Sequence, residues 1–357
     1  MNSRNYSLSD FQFDLPDKLL AENPSPNRDE SRLMVISKAD GSIQHSTFKD
    51  IGSFLHQGDL LLMNDTKVIP AKMVAYKRSR KKGARLSVLL IEEFLDTSIP
   101  SWIMLVDPIR KISIGDALVF GEDELIGQIV SRVSEKEVLV EFKDMASPAL
   151  LSDALFQLGS TPLPPYIKRS VSEDDQERYQ TVYAKNTGAL AAPTAGLHFT
   201  ENLLDNLEQL GIDRAFLTLH IGMGTFNPIY EEDLSKVKLH KERFEIGEET
   251  AERINKTLSG NHSLVAVGTT TLRTLEAAMK LQGRLSAISG DADLFIKPGY
   301  NWQVPTSLIT NFHTPGSSLL MMIAAYMGYD LMREVYDCAI KEEYRFYSYG
   351  DAMLILP

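Results

Sequence analysis

The chain has 357 residues and 39.9 kDa, enough for two domains with a sizeable core and too much for a short peptide-binding module. Hydrophobic residues at 43% and charged residues at 24% are ordinary globular usage, which excludes a disordered or fibrous protein. The balance of 37 basic against 48 acidic residues, net −11, argues on average against a nucleic-acid partner. The single cysteine, Cys338, leaves neither an intramolecular disulfide nor a thiolate cluster for zinc or iron–sulfur, as expected of a protein of the reducing cytoplasm.

From the N-terminus, residues 1–15 carry Asp10 and Asp14 and no apolar run after a basic start, so no secretory signal is read there. Leu60–Met63 is the first strongly apolar strand. Residues 68–150 then hold 12 basic and 12 acidic residues, so the other 25 basic and 36 acidic residues carry the whole net charge. Within that stretch Leu86–Glu92, Trp102–Val106, Ala117–Phe120, Leu125–Val133 and Glu137–Phe142 are short β-branched or apolar runs separated by turn signals such as Gly115-Asp116. Five strands without an intervening helix predict a small antiparallel barrel. The proline-stiffened loop 159–166 then offers a hinge back into the rest of the chain.

Beyond residue 151 the pattern alternates. Thr200 can cap a helix over Glu201–Leu210 that Gly211 ends, followed by a strand at Ala215–Ile221, a helix at Glu248–Leu258 and a buried strand at Leu264–Val267. Ser307–Phe312 reads as a strand, Ser317–Tyr336 as one helix and Ala352–Leu356 as a last strand. The apolar run 319–327 is far short of the roughly 20 residues a membrane span needs. The expectation is an α/β sheet covered on both faces, formed by residues 1–67 and 151–357, with the barrel of 68–150 inserted into it.

Several strand ends carry groups suited to chemistry. In residues 191–200 small side chains admit a flat ligand, with Pro193, Thr194 and Gly196 against it. Phe199 offers a stacking face there and His198 can move a proton near neutral pH. The bland alternative is a tight loop whose histidine caps the next helix. His220 and the glycines Gly222 and Gly224, with Thr225, follow a strand, where α/β sheets bind ligands, although this is no dinucleotide fingerprint. Residues 265–276 read strand, glycine turn, helix, so the N–H groups and hydroxyls of Thr269 and Thr270 point at an anion that Arg273, one turn on, can also reach. An ordinary threonine N-cap is the competing account. Asn64, Asp65, Thr66 and Lys67 close the strand before the insertion, and His313 ends another strand. His198, His220, His240 and His313 show no helical metal spacing, so no metal is expected. Residues 77–85 hold six basic side chains in nine. Either they form a solvated hairpin tip, or Arg80, Lys81 and Lys82 dock a polyanion that the acidic remainder would repel.

Together these segments resemble the S-adenosylmethionine:tRNA ribosyltransferase-isomerases of queuosine biosynthesis. The resemblance runs through 14–16, 28–33, 64–71, 191–200, 220–228, 267–276, 298–300, 309–313 and 344–352. It departs from that family's pattern at Met223, Lys241 and Gly316, where Ala, Ser and Lys are typical. The resemblance implies a larger α/β domain with an inserted barrel. It also implies a reaction in which the ribosyl group of S-adenosylmethionine passes to 7-aminomethyl-7-deazaguanine at the tRNA wobble position, giving epoxyqueuosine, adenine and methionine. S-adenosylmethionine is then a substrate and no separate cofactor is implied. Candidate proton-transfer residues are His198, His220 and His313. Two other classes compete: an S-adenosylmethionine lyase or hydrolase acting without RNA, disfavoured by the basic 77–85 segment, and a non-catalytic RNA-binding module, for which the histidine- and glycine-rich strand ends have no use.

Overall fold

In the computed structural model, residues 6–78, 83–94, 98–122, 124–222 and 229–357 are described, and the chain divides into two units. The larger comprises Met1–Lys67, Pro164–Arg169 and Arg178–Pro357, the smaller Val68–Leu163 and Ser170–Glu177. In chain order the larger unit begins with β1 (Arg32–Ser37), β2 (Ile43–Thr47) and β3 (Leu60–Asn64), and β4 (Thr66–Val68) lies where the chain leaves it. The smaller unit holds β5 (Lys72–Lys77), β6 (Arg85–Phe94), β7 (Ser101–Asp107), β8 (Ala117–Phe120), β9 (Leu125–Arg132), β10 (Glu137–Glu141) and α1 (Pro148–Leu158). After α2 (Glu173–Arg178) come β11 (Asn186–Ala189), α3 (Glu201–Gln209), β12 (Asp213–Leu219), β13 (Glu242–Ile246) and α4 (Glu248–Ser259). The chain then runs through β14 (Leu264–Val267), α5 (Thr269–Gln282), β15 (Ile288–Ala292), β16 (Ser307–Asn311), α6 (Ser318–Met327), α7 (Tyr329–Lys341) and β17 (Ala352–Leu356).

Nine strands form one mixed sheet in the order β15-β13-β12-β3-β14-β16-β17-β1-β2. The central β12, β3, β14 and β16 are parallel, and β17 runs antiparallel to β16. Because successive side chains leave opposite faces, continuous apolar strands supply two cores at once. Leu60 and Leu62 enter one apolar cluster while Leu61 and Met63 enter the other, and Met34 and Ile36 are divided from Leu33 and Val35 in the same way. Register aligns Ala215, Leu62, Ala266 and Leu308 in one row, and alternating small and large side chains leave room for helices on that face. The opposite face takes α3 through Leu203, Leu204 and Leu207. The Thr200 hydroxyl caps that helix by accepting from the Leu203 N–H, and Gly211 follows it at φ 77°.

The smaller unit is a closed barrel, β10-β7-β6-β5-β8-β9, which removes exposed sheet edges. It has six strands where the sequence suggested five, because β5 was hidden in a segment whose alternation is Lys72, Val74 and Tyr76 outward and Met73 and Ala75 inward. This unit also runs past residue 150, to 163, since α1 buries Leu151 and Leu155 and sets Phe156 edge-on to Trp102 of β7. The single helix expected over Ser317–Tyr336 is two, divided at Gly328, whose φ of 91° lies outside helical space.

Candidate active site

The larger unit has a cleft with a cavity volume of about 170 Å³ outside the C-terminal ends of β14 and β16, where open α/β sheets bind ligands. One wall is the small-residue segment from Ala192 through Ala195, and another is Gly268, Thr269 and Thr270 at the start of α5. A third follows β16, with Thr310, Asn311, His313 and the turn to Ser317, and a fourth is Tyr347 with Ser348.

The start of α5 is built for an anion. Gly268, at φ 94°, caps it without a side-chain hydrogen bond, so the first N–H groups of the helix are not taken up by a capping oxygen. Thr271 and Thr274 turn their hydroxyls back onto the carbonyls of Val267 and Thr270. The Thr270 hydroxyl has no hydrogen-bond partner among the described residues, and Thr270, only 6% exposed, lines the cavity. A buried hydroxyl left unmatched costs free energy unless something else meets it.

The three candidate histidines are placed differently. His313 lines the cavity, and burial lowers its pKa to about 3, so the ring is neutral at pH 7. Its Nε2 lies 2.9 Å from Thr310 Oγ1, a hydrogen bond in which the neutral ring or the hydroxyl can be the donor. His198 does not line the cavity, contrary to the sequence expectation. It lies stacked on Phe48 with Nδ1 2.7 Å from Ser31 Oγ and Nε2 3.1 Å from Asn311 Nδ2. Burial lowers its pKa to about 4, with opposing smaller contributions from Asp351 and from Arg345 and Arg28. Asn311 Oδ1 accepts from the Thr194 hydroxyl at 2.9 Å, so His198 acts one link behind the cavity wall by fixing the Asn311 amide. His220, about half-buried, has Nδ1 2.8 Å from Thr66 Oγ1, and its pKa is lowered by burial first and then by Arg243.

The other candidates separate in the same way. Pro193, Thr194, Thr269 and Thr270 line the cavity. Asn64 is instead an internal staple: its Oδ1 accepts from the Thr66 and Leu219 N–H groups and its Nδ2 donates to the Leu219 carbonyl. Asp65 accepts from Asn186 and Thr218, so Asp65, Thr66 and His220 form a second polar cluster. Lys67 is exposed beside it. Phe199 is fully buried edge-on to Phe48, a core position and not a stacking face. Gly196 is needed for close approach, since a Cβ there would meet the Tyr183 hydroxyl. Arg273 is 3% exposed and ion-paired with Glu242, whose other oxygen accepts from the Gly222 N–H. It therefore does not reach the α5 N-terminus. Met223, Gly224 and Thr225, and likewise Arg80, Lys81 and Lys82, lie outside the described residues. Among the described residues no group of three or more His, Cys, Asp or Glu has metal-holding geometry, and no helix is long and apolar enough to cross a membrane. Thr310, Ser317, Tyr347 and Ser348 line the cavity without having been named as site residues, although Thr310 lies in 309–313 and Tyr347 and Ser348 in 344–352, two of the stretches that carry the family resemblance.

Comparison with known proteins gives a consistent result. Residues 8–355 match a family model described as queuosine biosynthesis protein. The chain is 47% identical over 350 residues to an S-adenosylmethionine:tRNA ribosyltransferase-isomerase from Flavobacterium psychrophilum, covering 98% of this chain and 99% of that one. It is 44% identical over 349 residues to one from Cytophaga hutchinsonii, with the same shares of 98% and 99% covered. A crystal structure of S-adenosylmethionine tRNA ribosyltransferase from Thermotoga maritima is 34% identical, with a TM-score of 0.56 over 97% of this chain and 100% of that one.

Proposed function

The chain belongs to the queuosine biosynthesis family of S-adenosylmethionine:tRNA ribosyltransferase-isomerases, and from that premise we propose that it transfers and isomerises the ribosyl moiety of S-adenosylmethionine onto 7-aminomethyl-7-deazaguanine in the tRNA wobble position. Epoxyqueuosine forms and adenine and methionine leave. The observation that carries this reading is the cleft that joins an anion-ready helix start, Thr269 and Thr270, to a buried neutral histidine, His313.

The methionine carboxylate sits at the N-terminus of α5, where N–H groups, the helix dipole and the unmatched Thr270 hydroxyl meet it. The sulfonium acidifies the carbon next to it, so a base must take a proton there. His313, uncharged at neutral pH on the cavity wall and hydrogen-bonded to Thr310, is the ring placed to take it. His198 positions Asn311 and through it Thr194, both of which face the bound ligand. The partners are thus tRNA and S-adenosylmethionine, both substrates, and the setting is cytoplasmic, where the tRNA pool resides.

The test is adenine release from S-adenosylmethionine with and without tRNA carrying the aminomethyl base. Adenine and methionine should appear together and only with that tRNA. Equal release without tRNA would make the protein a lyase or hydrolase, and no release under either condition would remove the enzymatic reading of this cleft.

A further inference from the structure

Tyr347 holds a backbone conformation that its side chain disfavours. Its φ is 75°, a left-handed value rare for a bulky residue and found mainly where surrounding structure enforces it. Three hydrogen bonds do the enforcing: the Tyr347 N–H donates to the Phe312 carbonyl at 3.0 Å, the Gly350 N–H to the Tyr347 carbonyl at 3.0 Å, and the Ser348 N–H to the Tyr166 hydroxyl at 3.0 Å. The result is a ring laid nearly parallel on Tyr166, with centroids 4.0 Å apart and planes at 18°. Most aromatic pairs in this protein are tilted or edge-on, as in Phe48 with Phe199 at 87°. Tyr166 covers one face of the Tyr347 ring, and Tyr347 forms a wall of the cavity. A rigid ring, backed on one face, therefore borders the ligand space.

We propose that Tyr347, braced by Tyr166, is the platform on which the adenine ring of S-adenosylmethionine stacks, and so is a substrate-binding and positioning residue of the cleft. The inference rests on the functional reading above. Adenine is favoured over the wobble base because the same cavity contains the α5 anion site, and a molecule that offers a carboxylate at one end and a flat purine at the other fills both. Stacking tolerates any flat purine face, and the loss of one aromatic platform weakens binding by roughly tenfold or more.

The experiment measures affinity for S-adenosylmethionine in the absence of tRNA, its displacement by adenine and by methionine, and affinity for tRNA. Three proteins are compared: the wild type, Tyr347→Phe, and Tyr347→Asn, which removes the ring but tolerates left-handed backbone. Tyr347→Asn should weaken S-adenosylmethionine and adenine at least about tenfold while displacement by methionine and tRNA affinity stay within about twofold, and Tyr347→Phe should match the wild type. Unchanged adenine affinity in Tyr347→Asn overturns the proposal, and a loss confined to tRNA overturns it in favour of the wobble base. Should Tyr347→Asn not fold, nuclear Overhauser effects in the wild type between adenine protons and tyrosine ring protons, whose tyrosine signal disappears in Tyr347→Phe, carry the same test; their absence from the wild type overturns it. A wild type that binds no S-adenosylmethionine fails differently, because it removes the functional reading and the platform with it.

Discussion

His198 and His313 are both buried and both neutral at pH 7, yet only His313 borders the ligand space. Their substitutions should therefore fail in different ways. His313→Gln should lower kcat by about 10² or more with little change in melting temperature, the usual scale for losing a general base. His198→Ala should lose stability first, because it strands the Asn311 amide N–H in the interior and leaves the Ser31 hydroxyl only its 3.4 Å bond to the Arg28 carbonyl, at about 1–3 kcal/mol for an unmatched group. Parallel turnover and melting measurements decide this, and a hundredfold loss of kcat in His198→Ala without loss of stability would return the proton to His198. The same burial makes stability depend on pH. Both histidines have folded pKa values, about 4 and about 3, below the unfolded value near 6.5. The unfolded chain thus binds more protons between these limits. Their contribution is complete above pH 6.5 and is lost as pH falls toward 4, with a slope of about 1.4 kcal/mol per pH unit for each histidine. Urea unfolding of wild type and His313→Gln between pH 7 and 5 should show the variant with the shallower decline.

At the scale of elements, the start of α5 separates binding from architecture. Strand β14, a glycine in left-handed space and a threonine-rich first turn follow one another, so an anion site is legible in residues 265–271. The same stretch suggested that Arg273 would share the anion. Helical geometry allows that, but a buried guanidinium goes to the partner that neutralises it, and Glu242 of β13 stands across from it. Thr270→Val, which removes a hydroxyl without a partner, should raise the KM for S-adenosylmethionine about tenfold while leaving melting unchanged or slightly improved. Arg273→Ala should instead destabilise by about 3–5 kcal/mol, since the buried Glu242 carboxylate would lose the cation that neutralises it. A KM effect of Arg273→Ala at full stability would restore the arginine to the anion site. The division of α6 from α7 at Gly328 is a comparable case: the apolar periodicity runs through, and the left-handed backbone that interrupts it has no signature beyond one glycine.

On the scale of the whole molecule, charge is distributed by unit. The −11 resides outside residues 68–150, whose basic and acidic residues cancel at 12 each, and the barrel unit carries the basic run 77–85. Changing Arg80, Lys81 and Lys82 together to Ala should flatten the plot of log tRNA affinity against log salt by roughly two, at about 0.7 to 0.9 for each phosphate no longer neutralised. S-adenosylmethionine affinity should not move, because the cleft belongs to the other unit. Parallel salt plots for variant and wild type would assign the RNA backbone to other basic residues.

The residues by themselves determined the pieces whose cause is local. Apolar runs as short as Leu264–Val267 and Ala352–Leu356 are too short for helices and read as strands buried on both faces, Thr200 and Gly211 bound a helix, and a string of short runs without a helix closes as a barrel. The sequence candidates that line the cavity, Pro193, Thr194, Thr269, Thr270 and His313, belong to the small-residue segment and to two strand ends, whose residue types already marked them. Only the tertiary structure put His313 and not His198 on the cavity wall, sent Phe199 into the core and Arg273 to Glu242, and brought Tyr347 beside segments more than thirty residues away in the chain. The physical reason is common to all of these. Whether a polar or aromatic side chain meets solvent, ligand or an internal partner depends on which neighbours desolvate it, and those neighbours arrive from strands and loops that the order of residues does not make adjacent.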